Sequence, residues 1–143
     1  GAAMFTSVFM FMRGGNLIKE IILGLGFGKG WIIFIMMFIL FVLGMFLDWI
    51  GILYITLPIF VPIAVSLGFD PLFFVLLVAV NLQLSFLSPP FAYAIFFVKG
   101  VCPPEVTTKD IYKGVVPFLC VQAIGLALCY FFPQILMWLP SRF

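Results

Sequence analysis

The chain has 143 residues, 66% hydrophobic and 8% charged, with a net charge of +2 and a mean hydropathy of +1.36. Soluble domains carry roughly 25% charged residues, so the composition predicts an integral membrane protein embedded in the lipid bilayer and gives no case for nucleic-acid binding. The absence of histidine excludes a His-based metal or acid–base site, and Cys102, Cys120 and Cys129 form no C-x-x-C pair, so they read as small buried hydrophobes or a free thiol.

Residues 1–12 are apolar but too short to cross a bilayer, which takes about 20 residues. They hold no basic n-region and so do not read as a signal peptide. They read as the end of a transmembrane helix that starts outside this sequence, which makes the chain the C-terminal part of a larger membrane protein. Arg13-Gly14-Gly15-Asn16 breaks this helix, with Asn16 as a cap for the next. Over residues 13–30, Leu17, Ile18, Ile21, Ile22 and Leu25 recur at helical spacing, with Lys19 and Glu20 off their face. That pattern predicts an amphipathic helix lying along the interface.

Trp31–Leu47 is wholly apolar or glycine, and Trp49–Phe69 carries no charge. Asp48 stands between the two arms with no polar linker around it. At ~1.5 Å per residue the first arm reaches about 25 Å, short of the ~30 Å hydrocarbon core. Residues 31–69 therefore predict a re-entrant helical hairpin with its tip at 44–51. Pro58 and Pro62, four apart in the second arm, read as kinks of the sort that membrane helices tolerate.

Gly68-Phe69-Asp70-Pro71 is a turn, with Asp70 as N-cap and Pro71 at the first helical position. The uncharged run that follows, Pro71–Val98, contains Asn81, Gln83, Ser85, Ser88 and Pro89-Pro90. Residues before proline are driven out of the helical region. Residues 70–98 thus predict a discontinuous transmembrane helix, broken over 85–90. Backbone freed from helical pairing is costly in hydrocarbon unless protein, water or an ion satisfies it. Unwound carbonyls and half-helix C-termini coordinate cations, while N-termini attract anions. Ser85 and Ser88 add hydroxyl oxygens, which are hard ligands, and Gly44 allows close approach at the facing tip. Asp48, Asn81, Pro89 and Pro90 are candidates to shape the site or meet a substrate. Blander readings stand beside these: the serines bond back to their own helix, Asn81 and Gln83 tie helices together, and Asp48 lies in an aqueous loop.

Residues 99–114 form a polar connection holding Lys99, Glu105, Lys109, Asp110 and Lys113, with Thr107 or Thr108 as a helix cap. Residues 115–143 read as the last transmembrane helix and its tail, with Tyr130, Trp138 and Arg142 as interface anchors. Segments 13–29 and 99–113 each hold three Lys or Arg, so charge counting leaves orientation open.

Taken in order, Gly44-Met45-Phe46-Leu47-Asp48, Leu57-Pro58-Ile59-Phe60-Val61-Pro62, Gly68-Phe69-Asp70-Pro71 and the run from Asn81 to Pro90 resemble the large membrane subunit of TRAP (tripartite ATP-independent periplasmic) transporters. The run through Phe91, with Lys99-Gly100-Val101 and Thr107–Tyr112, is similar to the branch labelled mannitol/chloroaromatic. The resemblance covers essentially the whole chain, as the C-terminal third or so of a complete subunit. It implies the second inverted repeat of an all-α, elevator-type, Na+-driven carrier in a bacterial or archaeal inner membrane, and not an enzyme. It also implies small organic carboxylates as substrates, a periplasmic solute-binding protein that delivers them, and a small four-helix membrane subunit as partner. Carried over by motif, Na+ falls on Gly44, Ser85, Ser88 and the carbonyl of Phe91. The family commonly has threonine where Ser88 stands, so a hydroxyl is kept there, and glycine near Ser85, which is a departure at a ligand position. The same resemblance puts the hairpin base and residues 13–30 on the periplasmic side and residues 99–114 in the cytoplasm. The hairpin-and-break pattern by itself also admits a divalent-anion/Na+ symporter, or a structural membrane protein whose prolines shape packing.

Overall fold

A computed structural model describes residues 1–24, 26, 28–89 and 93–142, and among them all regular structure is helical. The elements are α1 (Ala2–Phe11), α2 (Gly14–Gly24), α3 (Lys29–Phe46), α4 (Trp49–Ser66), α5 (Pro71–Leu87), α6 (Tyr93–Val101), α7 (Thr108–Phe131) and α8 (Gln134–Met137), followed by a short 3-10 turn. Three of them, α3, α4 and α7, are long and apolar enough to cross a membrane.

The core is where α3, α4 and α5 meet. On α3 the buried residues are Ile32, Ile33, Met36, Met37, Leu40 and Gly44, and on α5 they are Phe73, Phe74, Leu77, Val78, Asn81, Leu82 and Ser85. Both sets recur at three- and four-residue steps, the signature of one helical face. From α4, Ile52, Ile59, Phe60 and Ile63 close the cluster. The opposite faces are apolar too, and Phe34, Phe38, Phe118, Val121 and Phe131 are all more than half exposed. Such a surface requires a bilayer or further helices to cover it.

Local chemistry sets the helix ends. α3 and α4 are joined by Leu47 and Asp48 alone, and the Asp48 carboxylate caps α4 by accepting from the Ile50 N–H at 3.2 Å. Each arm has 18 residues, about 27 Å of helix. α4 runs unbroken through Pro58 and Pro62. It ends at Ser66, and just beyond it Gly68, with a φ of +89°, lets the Phe69 N–H return to the Ala64 carbonyl and the Gly68 N–H to that of Val65, the paired bonds of a Schellman turn. Asp70 then caps α5 by accepting from the Phe73 N–H at 3.0 Å, with Pro71 in the first turn. Asp70→Ala should cost the full-length protein about 1 kcal/mol, read as a lower thermal unfolding midpoint in detergent with uptake otherwise retained.

Several boundaries differ from the sequence expectation. α2 starts at Gly14, so Asn16 lies inside it and does not cap it; Arg13, at φ +57°, turns the chain earlier. α5 continues through Ser85 to Leu87, which moves the start of the break from residue 85 to Ser88. The polar connection shrinks to residues 102–107, because α6 extends to Val101 and α7 starts at Thr108. A reciprocal capping box between Thr107 and Asp110 nucleates α7 there. The Lys99 ammonium also donates to the Val106 carbonyl and holds the connection closed. α7 ends at Phe131, ahead of Pro133, so the last long helix stops short of the tail.

Candidate functional site

The buried stripe of α5 is apolar at Phe74, Leu77, Val78 and Leu82, and polar at Asn81 and Ser85; Ser88 follows at the helix end. Asn81, Ser85 and Ser88 are 1%, 0% and 3% exposed. Polar groups this deeply buried need hydrogen-bond partners. The Ser85 hydroxyl donates to the Leu82 carbonyl at 2.7 Å and the Ser88 hydroxyl to the Leu84 carbonyl at 3.0 Å. Each serine thus commits its single proton to its own helix, and keeps the lone pairs of its oxygen as acceptors. Back-bonding of this kind does not disqualify a hydroxyl oxygen as a cation ligand.

At Ser88 the chain turns extended, with φ −85° and ψ 138°, and the Ser88 N–H reaches back to the Ser85 carbonyl at 3.1 Å. Pro89 and Pro90 have no N–H with which to continue the ladder. Two successive missing donors, with Ser88 already extended, end the helix here, with the negative end of its dipole at the break.

α3 meets this end of α5 at Gly44. A Cβ placed on Gly44 would lie 2.2 Å from the Ser85 Oγ and 2.7 Å from the Ser85 Cβ. The Ser85 side chain occupies the space that glycine leaves open, so the two backbones approach with one small side chain between them. Farther back along α3, the Asn81 Nδ2 donates to the Met37 carbonyl at 2.8 Å.

The structure thus brings Gly44 and Ser85 into contact, ties Asn81 to the same helix pair, and sets Ser88 and Pro89 at the end of α5. Asp48 is placed differently: it is exposed and its carboxylate faces its own helix. Pro90 and Phe91 lie outside the described residues. Two buried polar groups escaped the sequence reading. Thr56 donates to the Ile52 carbonyl at 2.8 Å, and the Gln122 Oε1 is buried without a partner on α7. Each is a lone polar residue in an apolar run, which is the one signal the sequence offered.

A cavity of about 430 Å³ lies between α3, α5 and α7, with Met37, Leu77, Leu84 and Leu126 among its walls and Asn81 and Tyr130 its polar members. It offers no positive charge to a carboxylate and suits hydrocarbon. Among the described residues no three His, Cys, Asp or Glu side chains converge as metal ligands. The oxygens at the α5 break are carbonyls and hydroxyls, a donor set that suits a hard cation such as Na+ and not a transition metal.

Residues 1–135 match the family model of the tripartite ATP-independent periplasmic transporter, DctM component. The chain belongs to the DctM family. It is 36% identical over 103 residues to the sialic acid TRAP transporter permease protein SiaT of Haemophilus influenzae, covering 72% of this chain and 16% of that protein. It is 29% identical over 126 residues to the C4-dicarboxylate TRAP transporter large permease protein DctM of Vibrio cholerae, covering 88% and 27%. A sialic acid TRAP transporter large permease protein, SiaM, of the same organism is 33% identical over 105 residues, covering 73% and 24%. The chain thus spans about a quarter or less of the length of these relatives. No solved structure matches it. Membership in DctM assigns the chain to the membrane permease component of the TRAP family. It also decides between the two carriers that the hairpin-and-break pattern admits.

Proposed function

We propose that this DctM chain is the C-terminal part of a Na+-coupled permease and carries one of its Na+ sites, the permease being the large subunit of a three-part system that imports small organic acids. The observation that carries this reading is the contact of Gly44 with Ser85 beside the Ser88-Pro89 helix end. There, a helix C-terminus, two proton-committed hydroxyls and backbone carbonyls stand together in a dry core. A monovalent hard cation fits those groups. Na+ would be held by the Ser88 hydroxyl and by carbonyls at the break, including that of Phe91, with Gly44 and Ser85 packed close enough to complete the shell.

In this reading residues 31–69 are a re-entrant hairpin and residues 70–98 the discontinuous helix of a second inverted repeat. The two move together as the carrier body of an elevator, in a bacterial or archaeal inner membrane. A periplasmic binding protein delivers the substrate, and a small four-helix membrane subunit assembles with the permease. The compounds named for the relatives, sialic acid, a C4-dicarboxylate and isethionate, are all small organic anions, which supports that substrate class here.

Reconstituting the complete three-part system in proteoliposomes tests the reading. A panel of organic acids should include at least one that is accumulated under an inward Na+ gradient, and replacing Na+ by K+ should reduce that uptake to background. Equal uptake in Na+ and K+ would refute the coupling.

A further inference from the structure

We infer that Asn81 is the positioning residue of this site: its hydrogen bond to the Met37 carbonyl fixes α3 on α5 in the one register that sets Gly44 on Ser85. Packing between Ile33, Met36, Met37 and Leu40 on one helix and Phe74, Leu77 and Val78 on the other is apolar and nearly non-directional. In lipid there is little hydrophobic drive to choose among the ways in which two such faces mesh. A single buried amide is the device that makes one register distinct, as a lone buried Asn does in coiled coils.

Asn81 has the geometry for this. It is 1% exposed, its Nδ2 lies 2.8 Å from a carbonyl 44 residues away in sequence, and Ser85 follows it one turn later on the same face. Met37 precedes Gly44 by two turns on the buried face of α3. The Met37 carbonyl has a second lone pair for the amide beside its own helical bond, so the contact adds to the ladder without breaking it. A slip of one turn would break the Asn81–Met37 bond and lift Gly44 off Ser85. The effect on transport rests on the Na+ reading above, whereas the clamp does not.

The test uses the full-length permease with its partners. Asn81→Leu is close in volume and has no donor, while Asn81→Gln keeps the amide. At normal amounts in the membrane, Asn81→Leu should raise the Na+ concentration for half-maximal uptake by roughly three- to twentyfold, the range that an interhelical hydrogen bond in a membrane protein is worth. The maximal rate at saturating Na+ should stay near wild type, and Asn81→Gln should show the smaller shift. In Na+-free buffer, amides of residues 36–46 should exchange hydrogen faster in Asn81→Leu than in wild type. An unchanged Na+ requirement in a variant that inserts normally overturns the positioning role, since a merely structural residue would lower the amount of transporter alone. If Asn81→Leu fails to insert, the same two readings on Asn81→Gln decide. Should Ser88→Ala leave the Na+ response untouched, the Na+ reading fails, and the exchange rates alone then decide for or against the clamp.

Discussion

Gly44→Ala in the full-length permease should abolish most uptake, and adding Ser85→Gly should restore much of it. The new Cβ would sit 2.2 Å from the Ser85 Oγ and 2.7 Å from the Ser85 Cβ. The hydroxyl can rotate away, but the Cβ is fixed to the backbone of α5, so the helices must part. Overpacking a tight core costs about 1–3 kcal/mol, larger than the gain of up to about 1 kcal/mol from replacing glycine in a helix. The account predicts an order. Gly44→Ala alone is worst, the double with Ser85→Ala recovers partly because the Cβ contact remains, and the double with Ser85→Gly recovers best. The last carries its own helix penalty of about 1 kcal/mol. Thermal unfolding and uptake of wild type, Gly44→Ala, Ser85→Gly and the Gly44→Ala/Ser85→Gly double form a double-mutant cycle. Additive effects would show that Gly44 and Ser85 do not touch.

Ser88→Ala should raise the Na+ requirement far more than it lowers the amount of permease in the membrane. The lost hydroxyl bonds only one turn back within α5, at 3.0 Å, a local bond that contributes little to a helix. A contact to a charged group is worth about 1.5–3 kcal/mol, so losing it as a cation ligand shifts half-saturation roughly ten- to hundredfold. Ser88→Thr keeps the hydroxyl and should stay near wild type. A proportional loss of protein and uptake, at unchanged Na+ half-saturation, would make Ser88 a helix-end residue only.

Much of this fold was legible because the chain punctuates itself with strong local signals. Asp70-Pro71 names a helix start, Gly68 a left-handed turn, Pro89-Pro90 a stop, and the apolar stripes of α3 and α5 a shared core. The departures arose where a local rule was outweighed. Asn16 has the residue type of a cap, yet Arg13 takes up the left-handed turn first. Ser85 reads as the start of the break, but proline removes the ladder only from its own position onward, so α5 keeps its helix to Leu87. Thr107 reads as a helix cap inside the polar connection and is the N-cap of α7, where its four-residue capping box with Asp110 starts the helix.

Within the site, residue types were readable and pairings were not. Gly44 announces a close approach without saying to what, and it took the packing of α3 on α5 to make Ser85 the answer. Asn81 reads as facing a substrate or another helix, and it bonds to Met37 at 2.8 Å while lining the cavity between α3, α5 and α7. Asp48, a charge between two apolar arms, caps its own helix from an exposed position, a local role that its residue type and place before α4 allow. A hydroxyl that bonds back into its helix keeps its lone pairs free to accept, a point that only the direction of the proton decides.

The claim that this chain carries a Na+ site is tested most directly by the thermal unfolding of the purified full-length permease, titrated with Na+ against K+ at constant ionic strength. A ligand that binds only the folded state raises stability in proportion to the logarithm of its concentration once above its dissociation constant. The midpoint should climb with Na+, stay flat with K+, and climb only at higher Na+ in Ser88→Ala. Identical curves in the two salts would contradict the account.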